Sequence, residues 1–206
     1  MRIIFIADTH EKHKQVKLPD GDVLIHAGDL TWVGKSQPTL AFLDWLEVQP
    51  FKHKIFVAGN HDFYFHHAEN LQALEGRGFT YLMNSGILIE NRIKIWGSPL
   101  TPEFLDWAFM GTPAQLKAAW KKIPDRLDLL ITHGPPFGIL DRTTEGVHAG
   151  CRELLKAVQI KKPKFHVFGH IHEGYGIEKT NATTFVNASL CNADYNLVNP
   201  PVVVDF

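Results

Sequence analysis

Cysteine is scarce in this chain of 206 residues: Cys151 and Cys191 are the only two, and no CxxC pair occurs. That argues against a disulfide scaffold and against a thiolate zinc module. Neither sign of charge is in excess, with 21 Lys and Arg against 22 Asp and Glu and a net charge of -1. No global field therefore draws the chain to nucleic acid or to an anionic membrane. Long apolar runs are missing too. Ile3–Ala7 is stopped at once by Asp8, too short for a signal-peptide core and far too short to span a bilayer. The expectations are a cytoplasmic protein with no membrane partner and no long nucleic acid as ligand. Repeats, low-complexity tracts and linker-like stretches are also lacking. With 45% hydrophobic residues, residues 1–206 are expected to form a single domain with its own core.

What the chain does have is histidine, twelve in all. Their positions matter more than their number. Short β-branched or aromatic runs bounded by breakers read as buried strands: Ile3–Ala7, Val23–Ala27, Ile55–Ala58, Leu129–Thr132 and Phe165–Phe168. Helical patterns lie between them. One opens at Ser36 and Pro38 and carries Leu40, Leu43 and Leu46. A second has Thr112 as N-cap and Pro113 at its first position, and a third carries the stripe Cys151, Leu154, Leu155, Val158. A hairpin, Gly86–Glu90 and Ile93–Gly97 around the turn Asn91-Arg92, interrupts the alternation. Thr184–Ala188 and Val202–Asp205 read as further strands, so the pattern is compatible with two packed mixed sheets.

Each of the five buried strands ends in the same chemistry. Asp8-Thr9-His10, Gly28-Asp29, Gly59-Asn60-His61-Asp62, His133-Gly134 and Gly169-His170-Ile171-His172 follow them in turn. Ligands of open α/β sheets bind outside the carboxyl ends of parallel strands. If the five strands are parallel neighbours, these groups converge on one edge. Imidazole, carboxylate and carboxamide without thiolate make a donor set for Mn, Fe, Zn, Co or Ni. Seven candidate ligands (Asp8, His10, Asp29, Asn60, His133, His170 and His172) exceed what one ion uses, and a bridging Asp29 would give each of two ions four. After those two carboxylates and a bridging hydroxide, residual positive charge suits an anionic phosphoryl group.

Those motifs, in that order, resemble the calcineurin-like metallophosphoesterase superfamily. The segments GNHDFYF, THGPP and HVFGHIHEGYG resemble its metallophosphoesterase-domain-containing, class III cyclic-nucleotide-phosphodiesterase-like group. The resemblance runs from Asp8 to the closing NPPVVVDF and implies an α/β fold, a four-layer α/β/β/α sandwich of two mixed sheets flanked by helices. It implies two divalent ions, manganese favoured, one held by Asp8, His10, Asp29 and His172, the other by Asp29, Asn60, His133 and His170. His61 matches the family's substrate-contacting histidine, which would give a proton to the leaving oxygen or stabilise charge on the phosphoryl group once metal-activated hydroxide attacks, with Asp62 expected to orient its ring. Asn60 and His61 are also expected to touch substrate, and His148 is a further candidate for substrate contact.

Two departures bear on the substrate. Trp32 stands where many relatives carry a second acid after Gly-Asp. Leu30, Trp32, Phe63 and Tyr64 flank motifs that protein phosphatases flank with arginines. These features point to a small phosphodiester or nucleotide, with a base stacked on an aromatic ring, hydrolysed by a metal-dependent phosphodiesterase. The alternatives are a phosphomonoesterase of the same superfamily and a nucleotide-binding scaffold protein with little turnover. Of the other histidines, His26 and His166 are expected inside strands as hydrogen-bonded supports. His13, His53, His66 and His67 are expected in solvent.

Overall fold

Strands with alternating side chains that are apolar on both faces need a packed layer on each side, and this chain supplies both. A computed structural model describes all residues 1–206. The first sheet orders β13-β1-β2-β3-β4, where β1 is Arg2–Ile6, β2 Val23–Ala27, β3 His53–Val57, β4 Thr80–Tyr81 and β13 Val202–Asp205. The second sheet orders β11-β12-β10-β9-β6-β5. Its members are β5 (Ser85–Ile89), β6 (Ile93–Ser98), β9 (Leu129–Thr132), β10 (Phe165–Phe168), β11 (Gly176–Lys179) and β12 (Thr184–Asn187). Each sheet has four parallel strands, with antiparallel pairing confined to β13 in one and to β11 and β5 in the other. A two-stranded ribbon, β7 (Thr101–Pro102) and β8 (Met110–Gly111), sits apart.

The period-two alternation decides which side chain faces which layer. Ile3, Phe5, Val23, Ile25, Ile55 and Val57 pack between the sheets against Ile95, Leu129, Ile131, Val167 and Val186. Ile4, Ile6, Leu24 and Phe56 point the other way, onto Phe42, Leu43 and Leu46 of helix α1 (Ser36–Glu47). On the far side, Trp96, Leu130, Phe168 and Phe185 pack on α2 (Pro113–Trp120) and α3 (Arg152–Lys161). The layering is α/β/β/α, as expected. Helix α2 begins where the sequence says it should: Thr112 caps it, accepting from Gln115 N while Gln115 accepts from Thr112 N at 2.8 Å. Cys151 serves as the N-cap of α3, its sulfur accepting from Leu154 N, and its buried side chain also packs with Leu154 and Val158.

Two expectations shift. The five motif-bearing strands are not neighbours in one sheet: β1, β2 and β3 lie in the first, β9 and β10 in the second. Their carboxyl ends nevertheless meet, because Ala7 N donates to Ala188 O (2.9 Å) and Leu190 N to Ala7 O (3.0 Å), stitching the sheets together at that end. The hairpin loop has three residues, Glu90-Asn91-Arg92, and not the two read from sequence, because Ile89 pairs with Ile93, and its left-handed residues are Glu90 and Asn91.

Candidate metal centre

Where the sheets meet, the seven candidate ligands come together in two clusters. Asp8, His10 and His172 each offer a ligand atom within 4.8 Å of the others, and so do Asp29, His133 and His170. Asp29 lies between the clusters: Oδ2 is 3.8 Å from His10 Nε2, and Oδ1 is 3.3 Å from His133 Nε2. Asn60 Oδ1 joins the second cluster at 2.9 Å from His133 Nε2.

Backbone geometry aims these groups. Asp8, His10, Asp29 and His170 all have left-handed φ (54°, 39°, 57° and 69°), a cost for side chains bearing a Cβ and one that concentrates at functional sites. The turn at His170 is how two histidines only two apart in sequence reach different clusters. Close approach accounts for two glycines. A Cβ on Gly28, itself at φ 100°, would fall on the His133 ring, and one on Gly169 would fall on the Asp8 carboxylate.

The imidazoles are turned by backbone carbonyls. His10 Nδ1 donates to Thr31 O (3.2 Å), His133 Nδ1 to Ala27 O (2.9 Å), and His172 Nδ1 to Asn192 O (2.9 Å). Each therefore presents Nε2 to the centre, with its orientation set from behind as ligating histidines require. Burial opposes ionisation of Asp8, but the hydrogen bond and charge of His172, with His133 further off, overcome it and hold Asp8 at about 2. Asp29 is likewise buried, yet His133 and His61 hold it well below the usual range. Burial alone would lower His133; the Asp29 carboxylate lifts it to about 9. His10 and His170 are kept neutral, pushed down to about 4 and about 3 chiefly by burial.

The sequence profile of the calcineurin-like phosphoesterases matches residues 1–174. The chain belongs to that family. Metallophosphoesterase domain-containing protein 1 of Homo sapiens is 40% identical over 231 residues, covering 99% of this chain and 70% of that protein. The UPF0046 protein K07C11.7 of Caenorhabditis elegans is 38% identical over 98% of this chain and 74% of its own. The crystal structure of TT1561 of Thermus thermophilus shares the fold with TM-score 0.65 at 16% identity, over 90% of this chain and 88% of that one. Calcineurin-like phosphoesterases are dinuclear metal-dependent hydrolases, and the two ligand clusters here match that number. The donors also fit the ions. His10 Nε2 and His172 Nε2 lie 3.3 Å apart with both Nδ1 protons committed outward, so both ring nitrogens are aimed at one point beside the Asp8 carboxylate, where a cation would take the place of a proton.

His61 takes its place at the mouth of this phosphoesterase centre. Its Nε2 is 3.9 Å from Asp29 Oδ2, and its Nδ1 donates to Trp32 O at 2.6 Å. Asp62 does not orient that ring, contrary to expectation. Its carboxylate, fully buried, accepts from Gly59 N (2.8 Å), Leu30 N (3.1 Å), Thr31 N (3.0 Å) and Thr31 Oγ1 (2.8 Å). It ties the Gly28-Asp29 loop to the Gly59-Asn60 loop, and burial with the nearby charge of Asp29 raises it to about 6. His148 does not reach the cleft either, because its Nδ1 is held at 2.6 Å by buried Asp141. Leu30 and Tyr64 are buried in the core rather than offered to substrate, and Trp32 lies against the His10 ring with centroids 5.0 Å apart.

A cleft of about 390 Å³ opens over the centre, lined by Asp29, Asn60, His61, His170 and His172. Its aromatic walls are Phe104, Trp107 and Tyr195, none of which the motifs indicated. Trp107 stacks on His61 at 4.2 Å, and Tyr195 meets His10 and His172 edge-on at 4.9 and 5.0 Å. Supports behind the centre follow expectation: His26 bonds Thr9 Oγ1 (2.9 Å) and His166 bonds Thr132 Oγ1 (2.8 Å). His13 departs from it, being buried against Phe42 and Trp45.

Proposed function

We propose that this chain is a metal-dependent phosphodiesterase acting on small phosphodiesters, a class that includes cyclic nucleotides. The observation that carries this reading is the lining of the cleft, which contains no lysine and no arginine. A phosphomonoester dianion gains most from guanidinium forks. A diester has a single negative charge, which two divalent ions already balance.

Asp8, His10, Asp29 and His172 would hold one ion, and Asp29, Asn60, His133 and His170 the other. Manganese is our first choice for a donor set of imidazole, carboxylate and amide oxygen. When bound, the ions supply Lewis acidity at the phosphoryl oxygens and a nucleophile available at neutral pH. The chain's own part begins with His61. With Nδ1–H committed to the Trp32 carbonyl, the ring can only exchange a proton through Nε2, on the cleft side beside Asp29. As an imidazolium it hydrogen-bonds the phosphoryl group and gives its proton to the departing alkoxide. Asn60 and His61 contact the substrate, while Asp62 holds both loops in register without touching it. Two free cysteines, Cys151 and Cys191, support a reducing, cytoplasmic address.

The test is manganese-dependent hydrolysis of bis(p-nitrophenyl) phosphate beside p-nitrophenyl phosphate, for the unsubstituted chain and Asp29→Asn. Faster diester turnover that collapses in the variant is expected. Faster monoester turnover, or none from protein carrying two ions, overturns the reading.

A further inference from the structure

The cleft over the metal centre continues into a second depression of about 550 Å³, and Phe104, Thr144 and His170 line both. Two loops wall this groove, one following β7 and one over 143–149. Both are built rather than loose. Ala108 N donates to Asn60 O (3.0 Å), pinning the first loop to the centre. Asp141 Oδ2 accepts from Gly138 N (2.8 Å) and Gly150 N (2.9 Å), and Glu173 accepts from Thr144 N (2.9 Å), pinning the second.

The groove offers bare apolar surface, with Phe104 67% and Val147 57% exposed. Its charge has one sign. Glu103 and Glu145 line it and form no ion pair, Glu173 lines the shared cleft, and no lysine or arginine lines either space. A phosphodiester seated on the two clusters has two ester arms. The leaving arm faces the proton donor His61, which lines the cleft but not this groove, and the retained arm, on the His170 side, has the groove as its continuation. An arm with a further phosphate or carboxylate meets repulsion there. A neutral arm gains apolar contact alone. An ammonium gains the carboxylates and the face of Phe104 together.

We propose that this groove selects phosphodiesters whose retained arm carries an amine or quaternary ammonium, an inference that rests on the phosphodiesterase reading above. In the hydrolysis, the oxygen of water forms the new P–O bond as the P–O bond to the leaving alcohol breaks. The departing oxygen takes one proton derived from that water, and the cationic arm stays on the product phosphomonoester.

The probe is p-nitrophenyl phosphorylcholine against its carbon isostere, p-nitrophenyl 3,3-dimethylbutyl phosphate, which has the same shape and leaving group without the charge. The expected kcat/KM is about tenfold higher for the choline ester, the difference lying in KM. Added salt shrinks the ratio, and the double variant Glu103→Gln, Glu145→Gln lowers it severalfold, toward the part that Phe104 and Glu173 still supply. A ratio of one in the unsubstituted protein, or one unchanged in the double variant, overturns the proposal. Bis(p-nitrophenyl) phosphate run on the same samples separates the two ideas. Its turnover without discrimination overturns the charge selection alone; no diester turnover from protein with two ions overturns the phosphodiesterase reading and this inference with it.

Discussion

His10 and His172 face each other in one cluster, and His133 and His170 share the other, yet the two pairs are held by different means. In the first, both rings hang on loop carbonyls, Thr31 and Asn192, and Trp32 and Tyr195 pack around His10. In the second, His133 hangs on Ala27 at the end of a strand in the opposite sheet. His170 makes no side-chain hydrogen bond to a carbonyl. Its left-handed backbone places it, with its N–H held 3.1 Å from both oxygens of Asp8. The first pair of rings is thus oriented by loop carbonyls and aromatic walls, and the second by one strand-end carbonyl of the opposite sheet; left-handed backbone occurs in both, at His10 and at His170. Asp29, a member of the second cluster, comes within 3.8 Å of His10 in the first.

That contrast can be broken most severely at Asp29. Asp29→Asn should cut kcat/KM by about three orders of magnitude and lower metal content below two ions per chain by elemental analysis. A variant that lost one ion alone and kept its activity would show that the carboxylate is not shared. Next in size, His61→Asn should lower kcat about a hundredfold or more while both ions remain, separating proton transfer from metal holding. Tyr195→Ala sharpens the difference between the clusters. Calorimetric titration with manganese should show one of two sites weakened about tenfold and the other unmoved, with Tyr195→Phe restoring the first. Equal weakening of both sites would mean that Tyr195 does not belong to one cluster.

Smaller effects concern the supports. Thr132→Val leaves His166 Nε2 without its partner and should lower unfolding free energy by about 1–3 kcal/mol in a denaturant titration. Thr9→Val does the same to His26. Farther from the centre, buried His13 is pushed down to about 4 by burial. A depressed value means the unfolded chain takes the proton first as pH falls. Stability is therefore full above about pH 6.5 and is lost as pH drops toward 4, and His13→Phe should flatten that slope in thermal scans.

Much of this is legible in the residues. Val23–Ala27, Leu129–Thr132 and Phe165–Phe168 are strands with the bounds their composition indicates, because burial on both faces demands unbroken apolar runs, and Val202–Asp205 keeps its bounds too as a half-exposed edge strand of β-branched residues. Thr112-Pro113 marks a helix start because capping is local chemistry. The burial of His13 is not legible, because a polar sequence neighbourhood says nothing of Phe42 and Trp45, which reach it from α1. The role of Asp62 is hidden too: adjacency to His61 suggests contact, whereas its carboxylate turns back to the Leu30 and Thr31 amides. Trp107 and Tyr195 leave no motif at all, since an aromatic in a loop looks the same in sequence whether or not it overhangs a metal centre.

The sequence by itself determined the donors and their places: acids, amides and imidazoles at the ends of apolar runs, where a chain leaving a sheet must turn. Only the tertiary structure decided the rest. It split five strands between two sheets, set three of the four ligand imidazoles by carbonyls distant in sequence, and brought loops at 104–107 and 192–195 over the centre. Strand and turn preferences act over a few residues, so they can be read along the chain. Ring orientation and cleft walls depend on contacts between residues far apart in sequence, 20 positions for His172 with Asn192 and 106 for His133 with Ala27, and the longest of these exist only once the two sheets have packed.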